Sequence, residues 1–406
     1  MSSQYSPEQG WLEELGNLQP VVREMLARNP QEQQQLGYFH TLREICQQPA
    51  TWIHTAQLMQ QSGRELSPLV EGISSLVLSG SGSSEFAGDC VRMPLQRELG
   101  IDAQAIAGGT LLTHGRNAVP VGRPGLMVSI ARSGDSPESV GALELMLKTE
   151  PGFRHLVLTC NRQGSLANKC RGDGKVIAIA LDDSTNDRSL VMTSSFTNLV
   201  IAARFLGLIN EAARYRSICE GVSRAATALL RDHFGTLAQV GKASFSRVLF
   251  LGSGPRFAAA REAALKMLEM TAGRVTTSCE TYLGLRHGPM SAVNEDTLIV
   301  CFLSTQPQAR AYESDVLGEL SQKQLGLFRL IVGKDVPSDL IRAKDVLIPY
   351  NGGNELVDDN VTVLDAVVGQ LLAFFRCLHE GLHPDSPSQS GVIQRVVQSF
   401  ALHLPG

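Results

Sequence analysis

Glu262, Lys266 and Glu269 stand four and three residues apart in the run AAAREAALKMLEM, so a helix carries all three on one side. Such a group is either a solvated, ion-paired face or, where the helix is partly buried, a general base tuned by its surroundings. Ala264, Leu265, Met267, Leu268 and Met270 surround Lys266 and Glu269, which points to partial burial. A second candidate follows in LRHGP, where His287 precedes Gly288 and Pro289. Those two residues stop the segment and fix its backbone, so the histidine is either structural or a proton carrier. No other histidine lies three to five residues away and no cysteine is paired with it, so no metal is expected there. His379 and His383 are four apart, but Gly381 and Pro384 end any helix there and a third ligand is missing.

Two other segments could hold an anion. Gly80-Ser81-Gly82-Ser83-Ser84 and Arg132-Ser133-Gly134-Asp135-Ser136-Pro137 each follow an apolar run and precede a helical pattern. Pro137 suits a first helical position and makes Ser136 a natural N-cap. Serine hydroxyls and free amides converging at a helix N-terminus suit a phosphate; the plainer reading is that the serines only cap helices. No GxxxxGK[ST] motif is present, and GSGSSE is a poor dinucleotide fingerprint with no ribose-binding acid after it. An NAD enzyme is therefore the weaker alternative, and the phosphate is expected on a small substrate, with no cofactor.

The elements that position these residues are legible as short apolar runs. SSLVLSG (74–80), GLMVSIA (125–131), RHLVLTC (154–160) and KVIAIAL (175–181) read as strands, with helical patterns at 84–99, 137–149 and 162–169 between them. Strands alternating with helices indicate parallel βα units. The pattern then returns. RVLFLGSG (247–254) repeats SLVLSGSG (75–82), and IVCFLSTQ (299–306) repeats MVSIARSG (127–134) at the same offset. LFRLIVG (327–333) and KDVLIPY (344–350) complete a second set of four in the same order. The second copy keeps the glycines in Gly252-Ser253-Gly254-Pro255-Arg256 but loses the double serine. Helices are also expected over about 191–209, 211–245 and 359–380, and over about 50–66 ahead of the first strand. In the Gln-rich opening, Leu36, Phe39, Leu42 and Ile45 keep a near-helical spacing that Gly37 weakens. The expected layout is a helical extension (1–48), two repeats (49–215 and 216–385) and a tail (386–406).

Composition narrows the function classes. With 36 basic against 40 acidic residues, a net charge of -4 and 5% aromatics, a nucleic-acid surface is not expected. Eight scattered cysteines without a CxxC pair fit buried thiols in a reducing compartment. MSSQYSPEQGWLEEL lacks the character of a signal peptide, and no uninterrupted apolar run reaches membrane-spanning length. A cytoplasmic protein without a membrane partner is expected.

Taken together, GSGSSEFAG, SIARSGDSPE, GSGPRFAAAREAALKMLE and LRHGPMS, set in two tandem copies, resemble the sugar isomerase (SIS) family over about 70–385. The layout is similar to the isomerase part of glutamine–fructose-6-phosphate amidotransferase. Ser2 rather than cysteine follows Met1 and no glutaminase region is recognised, so glutamine is not expected as a nitrogen donor. With the tail HPDSPSQSGVIQRVVQ, the whole looks like the AgaS branch, described both as tagatose-6-phosphate ketose/aldose isomerase and as galactosamine-6-phosphate deaminase.

The resemblance implies an α/β fold of two tandem SIS domains, each a mostly parallel sheet flanked by helices, with a helical N-terminal extension. It implies phosphate binding by Ser83, Ser84, Ser133 and Ser136. Arg132 stands where the amidotransferase relatives have Gln and adds charge beside the phosphate; Ala131 replaces a serine. Ser194, in the stretch 193–197, falls near the sugar, and Arg395 takes part of the place of a C-terminal lysine. Glu269 falls on the proton-shuttling glutamate, Lys266 on a lysine three residues before it, and His287 on the ring-opening histidine. In relatives that histidine comes from the neighbouring subunit, which implies a homodimer or higher homo-oligomer with shared sites. The implied reaction converts galactosamine 6-phosphate to tagatose 6-phosphate and ammonia. Aldose/ketose isomerisation without deamination, or a non-catalytic sugar-phosphate sensor, are the alternatives; the Glu269/His287 pair favours an enzyme.

Overall fold

SLVLSG and GLMVSIA are mostly apolar because both faces of their sheet are covered. β1 (Ser75–Gly80) and β3 (Gly125–Ala131) are buried along their whole length. The structure is a computed structural model that describes residues 7–120, 122–169, 175–388, 391–395 and 400–403. Among the described residues ahead of β1 lie six helices: α1 (Pro7–Leu18), α2 (Pro20–Leu26), α3 (Pro30–Gln35), α4 (Phe39–Cys46), α5 (Gln48–Gln61) and α6 (Gly63–Val70). Gly37 separates α3 from α4 at φ +69°, and a Cβ there would lie 2.2 Å from the His383 side chain. The helical spacing around Gly37 is therefore broken by a turn that needs glycine.

The first repeat continues with α7 (Ser83–Leu99), β2 (Asp102–Ala107), α8 (Gly108–His114), α9 (Pro137–Thr149), β4 (Phe153–Thr159), α10 (Ser165–Lys169), β5 (Val176–Ala180) and α11 (Ser194–Arg204). Its sheet has the order β2-β1-β3-β4-β5, parallel throughout. α12 (Ala212–Gly241) leads into the second repeat. There follow β6 (Arg247–Gly252), α13 (Pro255–Met270), β7 (Thr276–Thr281), α14 (Tyr282–Leu285) and β8 (Thr297–Phe302). α15 (Pro307–Gln322), β9 (Phe328–Gly333), β10 (Val346–Pro349) and α16 (Asp358–His379) complete it. The second sheet, β10-β9-β8-β6-β7, is the same order run in the other direction, again all parallel. The sequence signalled eight of these strands and missed β2 and β7. Both are edge strands beside the first strand of their repeat, and DAQAIA and TTSCET carry no apolar run because neither is fully buried.

Residues 51–187, 194–219 and 392–406 form one compact unit; residues 1–50, 188–193 and 220–391 form the other. Among the described residues, the helical extension thus packs with the second repeat, and residues 392–395 and 400–403 pack with the first. In the second unit, α16 lies directly on α13: a Cβ on Gly369 would meet the Ala263 Cβ at 2.5 Å. α16 is long and apolar enough to cross a membrane by those criteria alone, yet 94% of its apolar window is buried inside the protein. It is the core helix that holds α13, and with it the Glu/Lys group, in place.

Candidate active site

The topology puts a ligand crevice where the strand order reverses, between β1 and β3. The chain leaving β1 doubles back tightly, so that a Cβ on Gly80 would lie 2.5 Å from the Ser84 carbonyl carbon. Gly82, at φ +56°, delivers the chain into α7, and Ser83 and Ser84 open that helix in buried positions. The loop after β3 turns at Gly134, φ +68°. Ser136 N-caps α9 as the sequence predicts: its Oγ accepts from the Ser139 amide at 3.4 Å and shares a hydrogen bond with Ser139 Oγ at 2.8 Å. Both loops therefore end on helix N-termini beside the switch point, a setting that favours a dianion.

The second loop is fixed from behind. Asn161 Nδ2 donates to the Ser133 carbonyl at 2.9 Å, the Asp135 amide donates to Ser133 Oγ at 3.3 Å, and the Asp135 carboxylate accepts from the Ser165 amide at 2.8 Å. One residue escaped sequence reasoning. Ser81 Oγ is buried and, among the described residues, has no hydrogen-bond partner. Lying between two glycines, it gave no signal that set it apart from Ser83.

Ser194 and Arg395 belong to the same unit. The Asp187 carboxylate accepts from the amides of Ser194 (3.0 Å) and Ser195 (2.9 Å), which fixes the start of α11. Ser194 is fully buried, and Asn198 Nδ2 donates to its Oγ at 3.2 Å. Its hydroxyl is thus engaged inside α11. Arg132 is buried and donates from Nη2 to the Arg395 carbonyl at 2.8 Å. Arg395 in turn donates from Nε to the Asp187 carbonyl at 2.7 Å and from Nη2 to Asn186 Oδ1.

In the second repeat the equivalent loops are filled by the chain itself. Gly254, at φ +55°, repeats the turn of Gly82, and a Cβ on Gly252 would crowd the Arg256 carbonyl at 2.6 Å, as one on Gly80 crowds Ser84. Arg256 thus takes the place of Ser84. Fully buried, it donates to Asp365 from Nε at 2.8 Å and from Nη2 at 2.6 Å, and Tyr350 donates to the same carboxylate at 2.8 Å. After β8, the Ser304 amide donates to Glu313 at 2.7 Å and the Thr305 amide to Asp358 at 2.7 Å. Internal carboxylates occupy the donors that could otherwise face an anion. Burial pushes the Asp365 and Glu313 carboxyls above their ordinary range, and the Arg256 charge opposes that rise in both.

α13 brings Glu262, Lys266 and Glu269 together on one side, as the spacing predicts. Lys266 is 1% exposed; its Nζ contacts Glu269 Oε2 and stands 3.4 Å from Glu262 Oε1. Glu262 is fully buried, whereas the Glu269 side chain is 36% exposed. The lysine therefore anchors a carboxylate that still reaches solvent. His287 lies just after α14; its amide donates to the Gly284 carbonyl at 2.9 Å, and Gly288 follows at φ +125°. The imidazole is exposed. No group of three or more metal-ligating side chains occurs among the described residues.

The chain and its topology have counterparts in known proteins. The chain is 37% identical over 372 residues to an AgaS protein of Streptomyces coelicolor, covering 90% of this chain and 95% of that one. It is 32% identical over 377 residues to the D-galactosamine-6-phosphate deaminase AgaS of Shewanella sp. strain ANA-3, covering 91% and 93%. Among solved structures, the tagatose-6-phosphate ketose/aldose isomerase from Escherichia coli superposes with a TM-score of 0.80 at 30% identity, covering 87% and 96%. No family model matches the chain. Identity of this extent, on two repeated parallel sheets of one topology, shows that the chain belongs to the AgaS family of two-domain sugar isomerase (SIS) proteins.

Proposed function

We propose that this protein is a cytoplasmic deaminating isomerase that converts galactosamine 6-phosphate and water to tagatose 6-phosphate and ammonia. The observation that carries this reading is the Lys266–Glu269 pair: a carboxylate open to solvent on one side and held by a buried ammonium on the other. The names of AgaS relatives supply the substrate class. The serines at the β1 and β3 loops hold the phosphate and so fix C1 and C2 of the sugar. The partner's His287 moves a proton between the ring oxygen and the anomeric hydroxyl to open the ring. Glu269 then takes the C2 proton of the open aldehyde and returns it to C1. Lys266 stabilises the charge that develops on O1. The amine on C2 becomes a ketimine; water adds at C2, the C–N bond breaks, and ammonia leaves. Glu269 ends as it began, and the electrons move within one molecule, so the reaction calls for no cofactor.

The name of the E. coli structural relative supports a second reading, in which a hydroxyl at C2 replaces the amine and the shift stops at the ketose. Ammonia release from galactosamine 6-phosphate, measured beside aldose formation from tagatose 6-phosphate, decides between them. Ammonia at rates well above the uncatalysed background supports the deaminase. Turnover of tagatose 6-phosphate without any ammonia release supports the isomerase and overturns the deaminase.

A further inference from the structure

Arg132 stands in the loop after β3, and its guanidinium does not end in open space. It is buried in the loop after β3 and donates to a backbone carbonyl, that of Arg395, at 2.8 Å. The segment it reaches is tied down again by its own side chain. Arg395 Nε donates to the Asp187 carbonyl at 2.7 Å and Nη2 to Asn186 Oδ1, both in the loop after β5. That loop is itself rigid, because the Asp187 carboxylate caps α11. A second contact lies further along the chain: a Cβ on Gly141 of α9 would stand 3.0 Å from Leu402. Burial pushes the Cys160 thiol, just after β4, up to about 12, and the charges of Arg132 and Arg395 both oppose that rise. Two guanidinium groups thus act on one spot beside the proposed phosphate loops.

We propose that Arg132 is a positioning residue: it clamps residues 392–395 to the loops after β3 and β5 and so places the Arg395 charge beside the substrate phosphate. On this view glutamine at the position would leave a C-terminal segment that no fixed cation holds. Arg132 gives the segment a charge-assisted bond to a main-chain oxygen, which does not depend on which side chain Arg395 carries. The two like charges repel, so a bound phosphate dianion also strengthens the clamp.

Limited trypsin digestion, with the fragment 396–406 quantified by mass spectrometry, tests the clamp without turnover. Release of that fragment should rise about tenfold in Arg132→Gln, less in Arg132→Lys, and fall when inorganic phosphate is added to the wild type. Equal release from all three proteins overturns the clamp. Arg132→Lys retains a charge and a donor, so it gives the same contrast if the glutamine variant does not fold. A kinetic arm rests on the deaminase reading. Arg132→Gln and Arg395→Ala should each lower kcat and raise KM, and the double variant should be no worse than the poorer single one. If Arg132 instead touches the phosphate, its loss raises KM and weakens inorganic phosphate binding with kcat unchanged, and adds fully to Arg395→Ala. That outcome also overturns the proposal. Should the deaminase reading fail, the digestion result stands unaffected.

Discussion

Lys266 and Glu269 touch, yet they live in different media. The lysine is 1% exposed and the glutamate 36%. Their substitutions should therefore separate chemistry from stability. Glu269→Gln removes the base but leaves a neutral, similarly shaped partner at the surface of the pair. Its kcat should fall by about 10³-fold or more, with unfolding free energy changed by less than about 1 kcal/mol. Lys266→Met removes the ammonium that contacts Glu269 and stands 3.4 Å from the fully buried Glu262. It should lose activity and also cost about 3 kcal/mol, because a buried carboxylate loses an adjacent cation. Chemical denaturation of the two variants beside an activity assay checks both halves. Equal destabilisation of the two would mean that Glu269 is a structural half of the pair. The sequence showed the spacing of this group and the apolar residues around it. It could not show that the exposure boundary runs between the two side chains.

The two repeats share strand order and tight glycine turns, and differ in what fills the switch point. In the first, serines open α7; in the second, Arg256 stands at the position of Ser84 and draws in Asp365. The missing double serine was legible in the sequence. Its replacement by a network of Arg256, Glu313, Asp358 and Asp365 was not, because Asp358 and Asp365 come from α16, more than 100 residues after the loop. β2 and β7 escaped for a related reason: the apolar signal of a strand measures burial, and these two are edges. The network has a pH signature. Burial raises the Glu313 carboxyl from its ordinary 4.5, so the folded protein holds that proton when the unfolded chain has released it. The native state then binds more protons, and the contribution of Glu313 to stability falls as pH rises from 4.5 through the raised value. The unfolding free energy of the wild type minus that of Glu313→Gln should decline over that interval and flatten above it. A difference that stays level or grows across the interval would place the shift in the opposite direction.

At the scale of the whole molecule, the proposed machinery is spread over both repeats. The phosphate loops belong to the unit containing residues 51–187, and the Lys266–Glu269 pair and His287 to the unit containing residues 220–391. Duplication explains why the sequence announced the architecture so clearly. Four strand signals recurring in one order are hard to produce by chance, whereas the direction in which a loop histidine points leaves no periodic trace. His287 is exposed, and none of the described residues bonds its imidazole. If it serves a neighbour, two dead variants should repair one another. Glu269→Gln has an intact histidine, and His287→Ala has an intact base. Each alone should be inactive, and His287→Ala should keep wild-type stability because it removes an exposed side chain. Mixed under conditions that exchange subunits, a dimer pairing one variant of each kind holds one site with both residues intact. Random mixing in equal amounts should therefore restore roughly a quarter of the wild-type rate. Recovery that depends on exchange time and on mixing ratio would establish the shared site. A mixture as inactive as its parts, with exchange verified by native mass spectrometry, would return His287 to the site of its own chain.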